Sequence, residues 1–322
     1  MAPHPASPLK LPPVFSFLVI ALLSLGSYVN TLGNGFVFDD RVVIQENQNL
    51  RSLSGLAGLW VTPYWSGEGR SNRLYRPVTI LSFALNYAAG GGAPWTFHLV
   101  NLLLHTLVCM TLMALLTRLF GWGFLPLAGA ALFCVHPLLS EAVAGVVGRA
   151  EILSALFILS ALLLDRFPAG SSRRRNAVFA GSAVLFFLAI LAKENALAYP
   201  GLVLLTDQLM GRPEGTQRRL RVTELVILVA IAGVYLLLRA RVLGVLMEPG
   251  AIPPIDNPLA HVPATRRVVT ALFLTCRYLG LFVFPAKLSA DYSAPQIVPV
   301  NGVSDPGAVL GVAVIATLAF LG

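Results

Sequence analysis

The sequence predicts an all-α polytopic membrane protein, a bundle of about eight or nine transmembrane helices with interfacial helices in its first long loop. Three observations point there. Of 322 residues, 56% are hydrophobic and 12% charged, with a mean hydropathy of +0.76, whereas a soluble domain carries about a quarter charged residues. Apolar runs long enough to cross a bilayer recur along the chain. The runs lack the alternation of a membrane barrel, so each must satisfy its own backbone as a helix.

The runs fall at 11–29, 97–117, 123–139, 150–165, 177–192, 196–210, 222–240 and 268–285, with a last one from 308 to the end. The first follows Lys10 and is longer than the apolar core of a signal peptide. It also lacks a small-x-small cleavage site, which predicts a retained anchor. Basic residues cluster at Arg166 with Arg173–Arg175, and at Arg212 with Arg218, Arg219 and Arg221. By the positive-inside rule both loops are cytoplasmic. Residues 1–10 are then a cytoplasmic N-terminus, 11–322 a membrane domain, and 30–96 an outer loop. The expected location is a bacterial inner membrane, or the endoplasmic reticulum of a eukaryote. Topology and anionic headgroups of the lipid bilayer account for the net charge of +8 and pI near 9.8, so no nucleic acid is expected as a partner. Cys109, Cys134 and Cys276 all lie in apolar runs and read as core filler, with neither disulfide nor metal spacing.

Within the outer loop, Asp39 and Asp40 emerge just beyond the first span. Adjacent carboxylates in a partly desolvated site cannot both ionise freely, which suits one of them to proton transfer. An exposed acidic turn beside a helix is the plainer alternative. From Leu50 to Trp65, leucines and tryptophans among Ser and Gly predict a helix lying in the interface. His98, Asn101 and His105 share one face of the second span, either bonding neighbouring helices or lining a site. His136, Glu141 and Arg149 fall in the next outer turn, and Lys193 and Glu194 in the third. Each turn holds an acid and a base, which can neutralise each other or join the aspartates in a composite site. Arg239 and Arg241 end the seventh span on the outer side, against the positive-inside trend. A carrier phosphate held by the guanidinium fork would explain that, as would snorkelling. Arg76 is a second such candidate. The gathering of charge at the ends of spans on one side favours an enzyme over a lipid transporter or flippase, which would place charges at mid-span.

Taken together, NGFVFDDRVVIQEN at 34–47, LYRPVTILSFALNYAAGG at 74–91, FHLVNLLLH at 97–105, HPLLSEAVAGVVGRAEILSALF at 136–157, LAKENALAYPGLVLLTDQL at 191–209 and ADYSAPQIVPV at 290–300 resemble the membrane portion of the transmembrane O-mannosyltransferase targeting cadherins (TMTC) family and its bacterial relatives. The resemblance implies a GT-C glycosyltransferase fold. It implies transfer of a sugar from a polyprenyl-phosphate donor, dolichyl or undecaprenyl, to a hydroxyl acceptor such as protein Ser/Thr on the outer face. It places the catalytic carboxylates at Asp39 and Asp40. His136, Pro137 and Glu141, then Arg149, match a second family segment, and Asp291, Tyr292 and Ser293 a third. Arg76, Arg149, Lys193 and Arg239 are the expected donor-phosphate residues, and His98, His136, Glu141, Glu194, Asp291 and Tyr292 the expected lining. The expected mechanism is a single displacement with inversion. Two carboxylates and a phosphate would suit Mg or Mn, but no other hard ligand adjoins them, and a metal-free site is expected. Relatives continue into tetratricopeptide repeats. No period of about 34 residues occurs here, which predicts a fragment of a longer protein.

Overall fold

The computed structural model describes residues 12–51, 56–65, 74–166, 171–210, 215–244, 257–259, 261–289, 296–300, 302 and 305–321. The chain divides into two compact units, Met1–Leu246 and Met247–Gly322. All regular secondary structure among the described residues is helical.

The first unit holds nine helices among its described residues: α1 (Pro13–Tyr28), α2 (Pro77–Gly90), α3 (Pro94–Phe120), α4 (Phe124–Cys134), α5 (Ser140–Ala144), α6 (Arg149–Asp165), α7 (Ser172–Ala192), α8 (Tyr199–Met210) and α9 (Gly215–Leu243). Proline opens α1, α2 and α3, where its missing N–H has no intrahelical partner to lose. Gly91 and Gly121 stop α2 and α3 at φ of 62° and 81°, a backbone that side chains with a Cβ disfavour. The second unit holds α10 (Ala264–Val283) and α11 (Pro306–Leu321). They pack closely: a Cβ on Gly311 would stand 2.9 Å from the α10 backbone at Leu272 and Phe273.

Among the described residues every predicted apolar run falls largely on helix, the 123–139 run in two pieces. Five stretches, Pro13–Gly33, Pro94–Phe120, Val146–Asp165, Ser172–Ala192 and Arg218–Leu243, are long and apolar enough to cross a membrane. A sixth forms if α4 and the Pro137–Ala144 segment, bent by 47° at their break, count as one span. The break falls at Pro137, which cannot donate to the preceding turn. The remaining three runs fall short singly, because α8 has 12 residues, α11 has 16, and α10 carries Arg266, Arg267 and Arg277.

Two apolar clusters position the site. One, around Leu162, Phe186, Ile190, Tyr199 and Tyr235, joins α6, α7, α8 and α9. The other lies beneath the outer loop, where Phe36, Val43, Ile44, Leu50, Leu59, Tyr64 and Trp65 pack against Ile80, Phe83, Phe97 and Val146. At about 1.5–3 kcal/mol for each large apolar side chain buried, the second cluster fixes the loop on α2 and α3. The interfacial helix expected over 50–65 is absent from the described part of that stretch, which holds one short 3-10 turn, Gly58–Trp60, after another that ends at its start, Gln48–Leu50. Trp65 turns inward, 8% exposed, edge-on to Tyr64. The helix inside the outer loop is instead α2, 14 residues long and too short to span.

At the far end of α6, about 24 Å from Arg149 at 1.5 Å per residue, Asp165, Arg166, Asp207, Arg221, Glu224 and Arg175 form a continuous ion network. It ties α6, α7, α8 and α9 together at the end where the arginine clusters were expected. Cys109 and Cys134 sit in a buried apolar cluster as expected of core residues, and their thiols also lie within 4.8 Å of each other and of a His105 ring nitrogen.

Candidate active site

Backbone geometry presents the two aspartates differently. Phe38 adopts φ of 46°, a left-handed conformation that costs a non-glycine residue about 1 kcal/mol or more. The chain then turns through Asp39 and Asp40 into a π-helical turn, Arg41–Gln45, which points Val43 and Ile44 into the core. Such strain and such turns concentrate at functional sites. Asp40 is 1% exposed, and its carboxylate accepts from the N–H groups of Val37 at 3.3 Å and Val147 at 2.9 Å. Asp39 is exposed. The buried carboxylate latches the loop to the turn before α6, and its neighbour faces outward.

That turn, Val146–Gly148, requires its glycine: a Cβ on Gly148 would lie 2.2 Å from the Ala142 carbonyl oxygen. The turn delivers Arg149 into the interior with no exposed surface. Its guanidinium donates to Asn101 Oδ1 at 2.7 Å, Asn86 Oδ1 at 2.8 Å, and the carbonyls of Phe97 and Ser82 at 2.9 and 3.3 Å. It also lies over the rings of Phe83 and Phe97. Arg149 was expected at the donor phosphate; its fork is instead committed to neutral oxygens of α2 and α3, so it braces the site from within.

His98, one turn before Asn101, is also buried. It adjoins the Gly35 backbone and feels the charges of Asp40 and Arg149, yet neither ring nitrogen makes a hydrogen bond of good geometry. The third member of the predicted face, His105, turns instead toward Cys134.

A second group of charges closes the same end of the bundle. Arg76 makes a two-pronged bond to Glu194, at 3.0 and 2.6 Å, and lies 5.3 Å over the Tyr64 ring. Burial raises the Glu194 carboxyl, but the bonded Arg76 more than reverses this and holds it below the usual carboxylate range. Lys193 contacts Glu151, whose carboxylate also accepts from Asn195. Burial pushes the ammonium down to about 8, the Arg76 charge assisting while Glu194 and Glu141 oppose. The Lys193–Glu194 pair expected from sequence is therefore two crossed pairs. Thr79 Oγ1 donates to the Ala192 carbonyl at 2.9 Å and pins α2 to the end of α7. Arg239 lies within electrostatic reach of Tyr235, as do Arg76 and Glu194, and Tyr235 stacks on Tyr75.

Glu141 is exposed, its charge reaching Lys193. His136 accepts from the Leu138 N–H at 3.3 Å and caps the turn after α4. Asp291 and Tyr292 lie outside the described residues. Sequence reasoning missed Tyr64 and the inward turn of Trp65. The Tyr64 hydroxyl, Trp65 Nε1 and the Tyr235 hydroxyl are buried and unbonded among the described residues, as is the His98 ring. Burial holds the Tyr64 phenol well above its ordinary range, while it feels Arg76, Asp39, Asp40 and Arg149. For a divalent cation the donor set is poor, because both Asp40 oxygens face N–H donors and only one carboxylate of the pair points outward.

The sequence profile of the family described as Protein O-mannosyl-transferase TMTC, DUF1736 matches residues 249–319. Protein O-mannosyl-transferase Tmtc2 of Drosophila melanogaster is 33% identical over 305 residues, covering 90% of this chain and 32% of the relative. Protein O-mannosyl-transferase TMTC2 of Homo sapiens is 31% identical over 303 residues, 89% of this chain and 36% of the relative. Protein O-mannosyl-transferase tmtc2 of Xenopus laevis is 42% identical over 149 residues, 45% of this chain and 18% of the relative. The chain thus spans about a third of the length of the first two of these relatives. No solved structure matches it. With its multi-pass helices, its family profile and this identity over nine-tenths of its length, the chain belongs to the TMTC family.

Proposed function

We propose that the chain transfers a mannosyl group from a polyprenyl-phosphate carrier to a hydroxyl of protein Ser or Thr, on the membrane face that carries Asp39. The carrying observation is the outward Asp39, held by a latched Asp40 and a strained Phe38, with the buried Tyr64 within electrostatic reach of it. The relatives' name, protein O-mannosyl-transferase, supplies the sugar and the acceptor class.

In this reading Asp39 takes the proton of the acceptor hydroxyl as its oxygen attacks the anomeric carbon. The carrier phosphate leaves from the opposite face, so the configuration inverts. Arg76 and Lys193 stand at the same end of the bundle and stabilise the leaving phosphate, exchanging part of their hold on Glu194 and Glu151 for it. Arg239 is the further cation in reach of Tyr235. Tyr64, Trp65 and His98 offer hydrogen bonds to sugar hydroxyls. No step runs through a metal. The N-terminus is cytoplasmic in this topology, and the donor is dolichyl- or undecaprenyl-linked according to the host membrane.

The test is reconstitution of purified protein in lipid with a polyprenyl-phosphate mannose and a Ser/Thr peptide. Mannosyl-peptide whose anomeric configuration, read by NMR, is opposite to that of the donor is the expected product. Retained configuration overturns the single displacement. Donor translocated across the vesicle membrane with no glycosylated product favours a flippase.

A further inference from the structure

Away from the sugar site, α3 and α4 bring together three metal-ligating side chains for which the transfer reaction has no use. His105 and Cys109 stand one turn apart on α3, and Cys134 ends α4. Their ligand atoms all lie within 4.8 Å of one another, and the three residues are 3%, 0% and 0% exposed. His105 Nε2 is 3.5 Å from Cys109 Sγ. Zn–S bonds of about 2.3 Å and Zn–N bonds of about 2.0–2.1 Å put tetrahedral ligand atoms roughly 3.5–3.8 Å apart. One pair already has that spacing, and the third ligand atom lies within 4.8 Å of both.

A single buried cysteine is ordinary core packing. Two thiols and an imidazole converging from two helices form a donor set. The geometry points to a structural zinc site, with Cys109, Cys134 and His105 as ligands, that staples α3 to α4. Charge favours a divalent ion, and thiolate and imidazole ligands favour zinc among these. Two thiolates and a neutral imidazole around Zn²⁺ sum to zero, which an apolar interior tolerates, whereas Cu⁺ with the same ligands leaves a net negative charge there. The walls are apolar, with Ile20, Met113 and Ala130 in the same cluster. The Ser24 hydroxyl, bonded to Thr106 at 2.8 Å and adjoining Cys134, offers oxygen for a fourth position. Loading the site releases two protons, one from each thiol.

The inference stands apart from sugar transfer, and its readout is metal content. Protein purified in detergent after growth with zinc is analysed by plasma mass spectrometry, beside Cys109→Ser, Cys134→Ser and, as a control in the other unit, Cys276→Ser. The expected result is about one zinc per chain, kept in Cys276→Ser and lost in the other two. Cobalt exchanged into the wild type should give a thiolate-to-cobalt charge-transfer band. Should a serine variant fail to fold, the wild type still decides: stripping with a membrane-permeant chelator lowers its unfolding temperature, and added zinc restores it. No metal above background, copper in place of zinc, or a Cys109–Cys134 disulfide found under non-reducing alkylation overturns the proposal.

Discussion

Replacing Asp40 with asparagine keeps the shape of the side chain and removes its charge, so it tests whether this carboxylate is a latch. The two oxygens of Asp40 accept from Val37 and Val147, and the residue is 1% exposed. Asparagine has one carbonyl oxygen and one amide group. One contact survives as a neutral bond, and the other sets an N–H₂ against a backbone N–H. A hydrogen bond to a buried charged group contributes about 1.5–3 kcal/mol, so a loss of about 2–3 kcal/mol in unfolding free energy follows. Only the Val147 contact joins the loop at 34–47 to the Val146–Gly148 turn, the Val37 contact being internal to the loop, so weakening it loosens the loop from the turn. Denaturant unfolding in detergent measures the loss, and hydrogen exchange at the Val147 amide localises it. A variant as stable as wild type, with the Val147 amide still protected, would refute the latch and leave Asp40 as available for chemistry as its neighbour.

Gly148→Ala should destabilise by about 1–3 kcal/mol, as expected of overpacking against a rigid backbone, since its Cβ would meet the Ala142 carbonyl at 2.2 Å; thermal unfolding reads the loss, and an unchanged midpoint would show that the turn relaxes freely. Lys193 supplies a pH test. Burial holds its ammonium down to about 8, so the cation is present below that pH and lost above it. The apparent donor KM should therefore rise as pH climbs through about 8. In Lys193→Arg that alkaline limb should move well upward, and a limb that stays in place removes Lys193 from the donor site.

Much of the bundle was legible because bilayer thickness imposes a run length that composition displays directly, and among the described residues all nine predicted runs fall largely on helix. What failed were inferences about faces and partners. The Leu50–Trp65 stretch shows leucine and tryptophan at helical spacing, but packing on Ile80, Phe83 and Phe97 draws the described part of the chain into a short 3-10 turn instead. Arg149 looked like an anion ligand because arginine at a membrane boundary asks for a partner. Its partners, Asn86 and Asn101, are 63 and 48 residues away, and no local pattern announces them. The crossed pairing of Arg76 with Glu194 and Lys193 with Glu151 was hidden for the same reason, since adjacent Lys193 and Glu194 project in different directions. The aspartate pair was visible in the sequence, whereas the division of labour between its members depends on a backbone N–H 107 residues away.

The most direct measurement of the central claim is mannosyl transfer by the Asp39→Asn variant in lipid vesicles, with donor binding followed in parallel. If Asp39 is the base, transfer falls by roughly a hundredfold to ten-thousandfold, while donor affinity and unfolding midpoint stay at wild-type values. A folded Asp39→Asn protein that transfers mannose at the wild-type rate would contradict the account.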